Sequence, residues 1–255
     1  MDRLSPFFSH FSLSARVFFS GKLCGTSSDH VTTTAGHLHV LRSGELKILQ
    51  PPGPPTIINE PAVLFYPRPA AHTFQSDNAD ILCTFVEFGA GMMNPLVISL
   101  PQLLVVPLAS IPELVPTIEL LFTEAFDLRD GRQAAVDRLA EYFLILLLRS
   151  AISSRHLQAG IFLALSDAHL SKAFDAIHEL PEKSWTLEEL ARIAGMSRAR
   201  FAAHFRATTG QTPFKYLSLW RIGVTQSLLK KGHSLKMVAP SVVFTCAEAL
   251  IRLFT

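Results

Sequence analysis

The sequence predicts an α+β chain: a β-rich amino-terminal domain built as a small barrel or jelly roll, linking helices, and an all-α carboxy-terminal domain. Three observations predict it. Residues 4–106 hold short β-branched or aromatic runs separated by Gly, Pro, Ser and Asn, which is the pattern of an all-β domain. From Ile111 the apolar residues recur at helical spacing. From Trp185 a helix, a Gly-containing turn and a second helix lead into a long helix, and then the unit recurs in outline. A chain of 255 residues suits two domains. The expected boundaries are 1–110 for the β domain, 111–160 for the linking helices and 161–255 for the helical domain. With 49% hydrophobic and 17% charged residues, the chain can bury substantial cores, and wholesale disorder is excluded.

In the first domain the expected strands are Ala15 to Phe19, His37 to Leu41, Glu45 to Leu49, Ala62 to Tyr66 and Ile81 to Phe88. LRSGELKIL reads as a hairpin with Ser43-Gly44 at its turn. PPGPPTIINEP is a loop or an edge connection, because Pro cannot donate to a ladder. His37 and His39 alternate onto one strand face, and His72 follows PRPAA. Two His from one strand and a third from a neighbour either line a pocket or ligate a divalent metal, and the pocket is the preferred reading.

Beyond Ile111, Pro116 to Phe126 and Gln133 to Ile152 are expected helices. DRLAEYFLILLLRSAI is apolar on more than one face, so it is either interior or paired with a second copy. Ser154 to Gly160 reads as a linker, and Leu165 to Glu179 as the first helix of the last domain.

In the helical domain Thr186 and Glu189 form a capping box. Gly195 ends that helix and Ser197 caps the next, whose buried stripe is Phe201 and Phe205. The outward face then holds Ala199, Ala202, Ala203 and Arg206, with Arg198 and Arg200 at the amino end. Arg takes guanine edges or phosphates, and Ala permits close approach to bases and contact with thymine methyls. Gln211-Thr212-Pro213 opens a long helix to about Lys231. HSLKMVAPSVVFTCAEALIRLF repeats the first unit, with Glu248, Ile251 and Arg252 facing outward.

TLEELARIAGMSRARFAAHFRATTGQTPFKYLSLWRI resembles the DNA-binding domain of AraC/XylS-type transcription regulators, through LARxAGMSxxxFxxxFxxxTGxxPxxYLxxWR. The resemblance implies base-reading positions at Ala199, Ala202 and Ala203, and at Glu248, Ile251 and Arg252. The second unit departs from the pattern: Val243 stands where the family has Gly, and no closing helix follows before Thr255. A weakened or partly folded second reader is therefore expected. GHLHVLRSGELKI and LFYPRPAAHTF resemble the cupin-like sensor domain that precedes this module, which implies a cupin-like barrel.

Charge agrees locally. The chain carries +2 overall, yet from Leu190 onward ten Lys and Arg face one acidic residue, a net of +9 against −7 for the rest. A basic binding surface attached to a mildly acidic domain follows. Cys24, Cys83 and Cys246 lack metal spacing and suggest no disulfide framework. No signal segment and no bilayer-length apolar run is visible, so a cytoplasmic protein with no membrane contact is expected. No GxSxG, HExxH, phosphate-binding Gly loop or CxxC pair occurs. The expectation is a non-enzymatic, sequence-specific regulator of transcription without cofactor or bound metal. Its expected partners are double-stranded DNA, a small-molecule effector at His37, His39 and His72, a second copy of itself, and RNA polymerase. Two alternatives stay open: a metal-dependent cupin enzyme with a vestigial helical tail, and a dimer-forming regulator that has lost full DNA binding.

Overall fold

A computed structural model describes residues 2, 4–29, 35–50, 52–153, 160–234 and 238. The chain divides into two compact units, one of residues 13–87 and 100–150, the other of residues 1–12, 88–99 and 151–255.

The first unit is one curled antiparallel sheet with two helices. Its strands are β1 (Leu13–Asp29), β2 (Gly36–Ser43), β3 (Leu46–Leu49), β4 (Thr56–Ile58), β5 (Ala62–Tyr66), β6 (His72–Phe88) and β7 (Leu104–Pro107), in the order β4-β3-β6-β2-β5-β7 with β1 on β6. The hairpin turn expected at Ser43-Gly44 joins β2 to β3, and Gly44 takes φ +92° where a Cβ would stand 2.7 Å from the Asn78 carbonyl. The Pro-rich segment leads into β4, the edge strand. The central β2 is buried on both faces. His37, His39 and Leu41 lie opposite Tyr66, Leu64 and Ala62 on one side and Phe85, Cys83 and Ile81 on the other, so all nine share one face. Leu46, Ile48 and Phe74 extend that face into a core cluster. On the other face Arg42 pairs with Asp80, and its guanidinium lies 4.3 Å over the ring of Phe122 in α3 (Val115–Phe126). α4 (Arg132–Ser153) runs beside β1, where Asp137 Oδ1 accepts from Val17 N–H at 2.8 Å and Gln133 donates to the Val17 carbonyl at 2.9 Å.

The strands run longer than their apolar cores suggest. β1 and β6 extend through polar stretches because ladder bonds, once started, tolerate polar residues on an exposed face.

The second unit is helical. α1 (Ser5–His10) replaces the expected β-rich start: Asp2 Oδ1 accepts from Leu4 and Ser5 N–H at 3.1 Å each, and Phe7 and Phe11 fall on one helical face. That face meets Trp220, with ring centroids 5.0 Å away from Phe7 and 5.2 Å from Phe11. α2 (Pro95–Ser99) follows, and Ser99 Oγ accepts from Ile161 N–H at 3.1 Å. The single helix expected over 165–179 is two, α5 (Gly160–Ser166) and α6 (Leu170–Glu179). The break lies at Asp167, whose carboxylate accepts from the N–H groups of His169 and Leu170 and so starts a new helix. α7 (Leu187–Ile193), α8 (Arg198–Thr209) and α9 (Pro213–Lys230) complete the described chain. The linker at 154–159 and the repeat unit after Ser234 lie outside the described residues, save Val238.

Candidate nucleic-acid interface

Local chemistry fixes both ends of the helix–turn–helix formed by α7 and α8. Thr186 Oγ1 accepts from Glu189 N–H at 3.2 Å while Glu189 Oε2 accepts from Thr186 N–H at 2.9 Å, the reciprocal capping box. The Thr186 N–H, then Lys183 at 3.1 Å, hold the Glu189 carboxyl below its ordinary pKa. α7 closes in a Schellman motif: Met196 N–H reaches the Ala191 carbonyl at 2.9 Å, Gly195 N–H reaches Arg192 at 3.0 Å, and Gly195 sits at φ +66°. Ser197 Oγ then accepts from Arg200 N–H at 3.4 Å, capping α8. At the far end Gly210 takes φ +75°, and Thr212 with Pro213 starts α9.

The inner stripe of α8 is aromatic. Phe201 and Phe205 are fully buried, and Phe205 stacks on Phe174 of α6 at 5.2 Å. Below them His178 stacks on Trp220 at 3.9 Å and shares a 2.6 Å hydrogen bond with the Tyr216 hydroxyl. Burial, reinforced by His10, pushes the His178 pKa down to about 3, and burial pushes Tyr216 well above its usual value. This core is neutral and holds α8 against α6 and α9.

The outer face is as follows. Arg198, Ala199, Arg200, Ala203 and Arg206 are exposed, and Ala202 is half-buried on the flank. Ala207, outside the face expected from the sequence, is also exposed, one helical turn beyond Ala203. Three small side chains in line, flanked by Arg200 and Arg206, give a floor low enough for base edges with cations beside it. Not all basic residues belong to this surface: Arg221 of α9 donates to the carbonyls of Pro181 at 2.7 Å and Lys183 at 2.8 Å and serves the fold instead. Glu248, Ile251 and Arg252 lie outside the described residues.

In the sheet unit, His37, His39 and His72 come together and all are buried. Their ring centroids stand 5.9 Å (His37–His39), 5.3 Å (His37–His72) and 5.1 Å (His39–His72) apart. His72 Nδ1 lies 2.9 Å from the Ala70 carbonyl, which only accepts, so that nitrogen carries a proton. His72 Nε2 then accepts from His39 Nε2 at 3.1 Å, which leaves His39 Nδ1 as a bare acceptor. His39 Nδ1 and the Tyr66 hydroxyl are buried without a partner among the described residues. Burial, with His72 and His37 beside it, holds the His39 pKa well below its ordinary value; burial raises Tyr66 to about 12. Among the described residues no group of three His, Cys, Asp or Glu side chains is arranged to hold a metal ion. An open cavity of 640 Å³ adjoins the cluster through Phe85, whose ring is 5.3 Å from His37. Arg16, Glu87 and, from α4, Asp137 and Glu141 line it.

Residues 2–153 match the family described as Cupin, and residues 190–255 match the family described as Helix-turn-helix domain. An HTH-type transcriptional regulator of Haemophilus influenzae is 35% identical over 135 residues, 53% of this chain and 45% of that protein. The HTH-type transcriptional regulator AlkR of Acinetobacter baylyi is 30% identical over 188 residues, 71% of this chain and 61% of that protein. The chain thus spans about half the length of these relatives. The crystal structure of ToxT from Vibrio cholerae superposes with a TM-score of 0.42 at 13% identity, over 96% of this chain and 93% of that one. With the cupin match covering more than half of its length, the chain belongs to the Cupin family, and a helix-turn-helix domain follows the cupin part.

Proposed function

We propose that this protein is a sequence-specific, double-stranded-DNA-binding regulator of transcription whose activity is set by a small molecule held in the cupin unit. The observation that carries the reading is the outer face of α8, where Ala199, Ala203 and Ala207 form a low floor beside Arg200 and Arg206 on a rigidly capped helix. The relatives' names support it, since each is called a transcriptional regulator, and the chain is accordingly read as non-enzymatic. Arg198, Arg200 and Arg206 contact phosphates or guanine edges, and Ala199, Ala202 and Ala203 face the bases. Glu248, Ile251 and Arg252 have the same role in the second unit.

The effector pocket is the His37, His39 and His72 cluster. An unmet buried acceptor at His39 and an unmet hydroxyl at Tyr66 favour a ligand that offers both a donor and an acceptor. The protein works as a homodimer, for which the exposed Leu120 and Tyr142 on α3 and α4 offer apolar contact area, and it acts in the cytoplasm with RNA polymerase as a further partner. Among the described residues no helix is long and apolar enough to cross a membrane. The test is selection of bound fragments from random duplex DNA by the full chain. A shared recovered motif is the expected result; recovery of unrelated fragments sinks the proposal.

A further inference from the structure

Asp167 sits in the short connection between α5 and α6, and its carboxylate makes three hydrogen bonds. Its Oδ1 accepts from the N–H groups of His169 and Leu170, at 2.8 Å each, and its Oδ2 takes His204 Nε2 of α8 at 2.8 Å. Two residues on, His169 Nδ1 donates to the Ala194 carbonyl at 2.8 Å, in the turn that leads from α7 into α8. One three-residue segment therefore starts α6, grips the turn of the helix–turn–helix and grips the second turn of α8. Burial alone would raise the Asp167 carboxyl; the hydrogen bonds from Leu170, His204 and His169 outweigh it and hold the pKa below its ordinary value. His204 borders the outward face of α8, and an open groove there is lined by Asp167, His169, Arg200, Ala203 and Ala207 beside it.

We propose that Asp167 and His204 are positioning residues for the DNA-reading helix, setting the angle at which α8 meets the major groove. The proposal rests on α8 being the reading helix. An imidazole N–H donated to a carboxylate is a charge-assisted hydrogen bond, stronger than one between two neutral groups. The charged or titratable groups facing His204 in the groove are Asp167, His169 and Arg200. Of the elements packed on α8, α5 has no ionisable side chain. α6 carries Lys172, Asp175, His178 and Glu179, α7 carries Glu188, Glu189 and Arg192, and α9 carries Lys215, Tyr216, Arg221 and Lys230. None of these lines the groove.

The test uses the full chain and a duplex recovered by selection with it, followed by fluorescence anisotropy. Both partners are partly exposed, so the expected effects are modest. Asp167→Asn and His204→Gln each bind that duplex about two- to fivefold more weakly than wild type and combine without further loss, while His204→Lys, which keeps a cationic donor for the carboxylate, keeps wild-type affinity. Melting curves identify any variant that fails to fold, and His204→Lys then carries the test. Variants that keep wild-type affinity, an additive double variant, or a folded His204→Lys as weak as His204→Gln overturn the tie while leaving α8 as the reader. If wild type ignores duplex DNA altogether, the reading of α8 falls and the tie with it.

Discussion

Phe7 lies at the start of the chain, far in sequence from the helices it stabilises. Its side chain is fully buried and stands edge-on to two rings, Trp220 and His178, each 5.0 Å away. Phe7→Ala removes that ring from a packed aromatic site, which costs about 3–5 kcal/mol in transfer and cavity terms. The neighbouring contact is also close: a Cβ on Gly223 would stand 1.9 Å from the Phe11 ring, so α1 and α9 pack without slack. For a chain of this size each kcal/mol lowers Tm by about 2–4 °C, so a fall of about 6–20 °C is expected. The assay is thermal unfolding followed by Trp220 fluorescence in a Trp185→Phe background, with Phe126→Ala as the control because Phe126 is half exposed. A Phe7→Ala melt that matches the control would refute the placement of α1 against α9.

Other consequences are as direct. Thr186→Ala removes one half of the capping box and should lower stability by about 1 kcal/mol in urea unfolding; an unchanged midpoint contradicts the cap. Tyr66→Phe deletes a buried hydroxyl that has no partner among the described residues, so stability should be unchanged or higher by differential scanning fluorimetry; a loss above about 1 kcal/mol would show that the hydroxyl is satisfied. His178 has a folded-state pKa of about 3 against 6.5 when unfolded, so the unfolded chain binds the extra proton between those values. Its contribution is whole above the unfolded value and is lost as pH falls, by up to about 1.4 kcal/mol per unit. His39 acts in the same direction. Urea midpoints should therefore drop between about pH 7 and pH 5, and a rise would contradict the buried neutral imidazoles.

The helix boundaries around α7, α8 and α9 were legible because each is set by a local side chain: Thr186, Gly195, Ser197 and Pro213 act on backbone groups within a turn of themselves. The meeting of His37 with His39 was legible from strand alternation, and that of His72 with them only through the resemblance of LFYPRPAAHTF to a cupin-like domain. What stayed hidden depends on contacts distant in sequence. Ser5–His10 is helical because Phe7 and Phe11 find Trp220, over two hundred residues away. The Asp167–His204 pair spans 37 positions and leaves no local pattern. Arg221 is one of the ten Lys and Arg counted from Leu190 onward, yet two backbone carbonyls claim it.

The account turns on whether the outer face of α8 reads base pairs. The direct measurement is the affinity ratio between a selected duplex and a scrambled duplex of equal length, for wild type and for Arg200→Ala. Wild type should prefer the selected duplex, and the substitution should remove about 1–3 kcal/mol of binding free energy while narrowing that preference. Equal affinity for both duplexes, untouched by the loss of Arg200, would contradict the account.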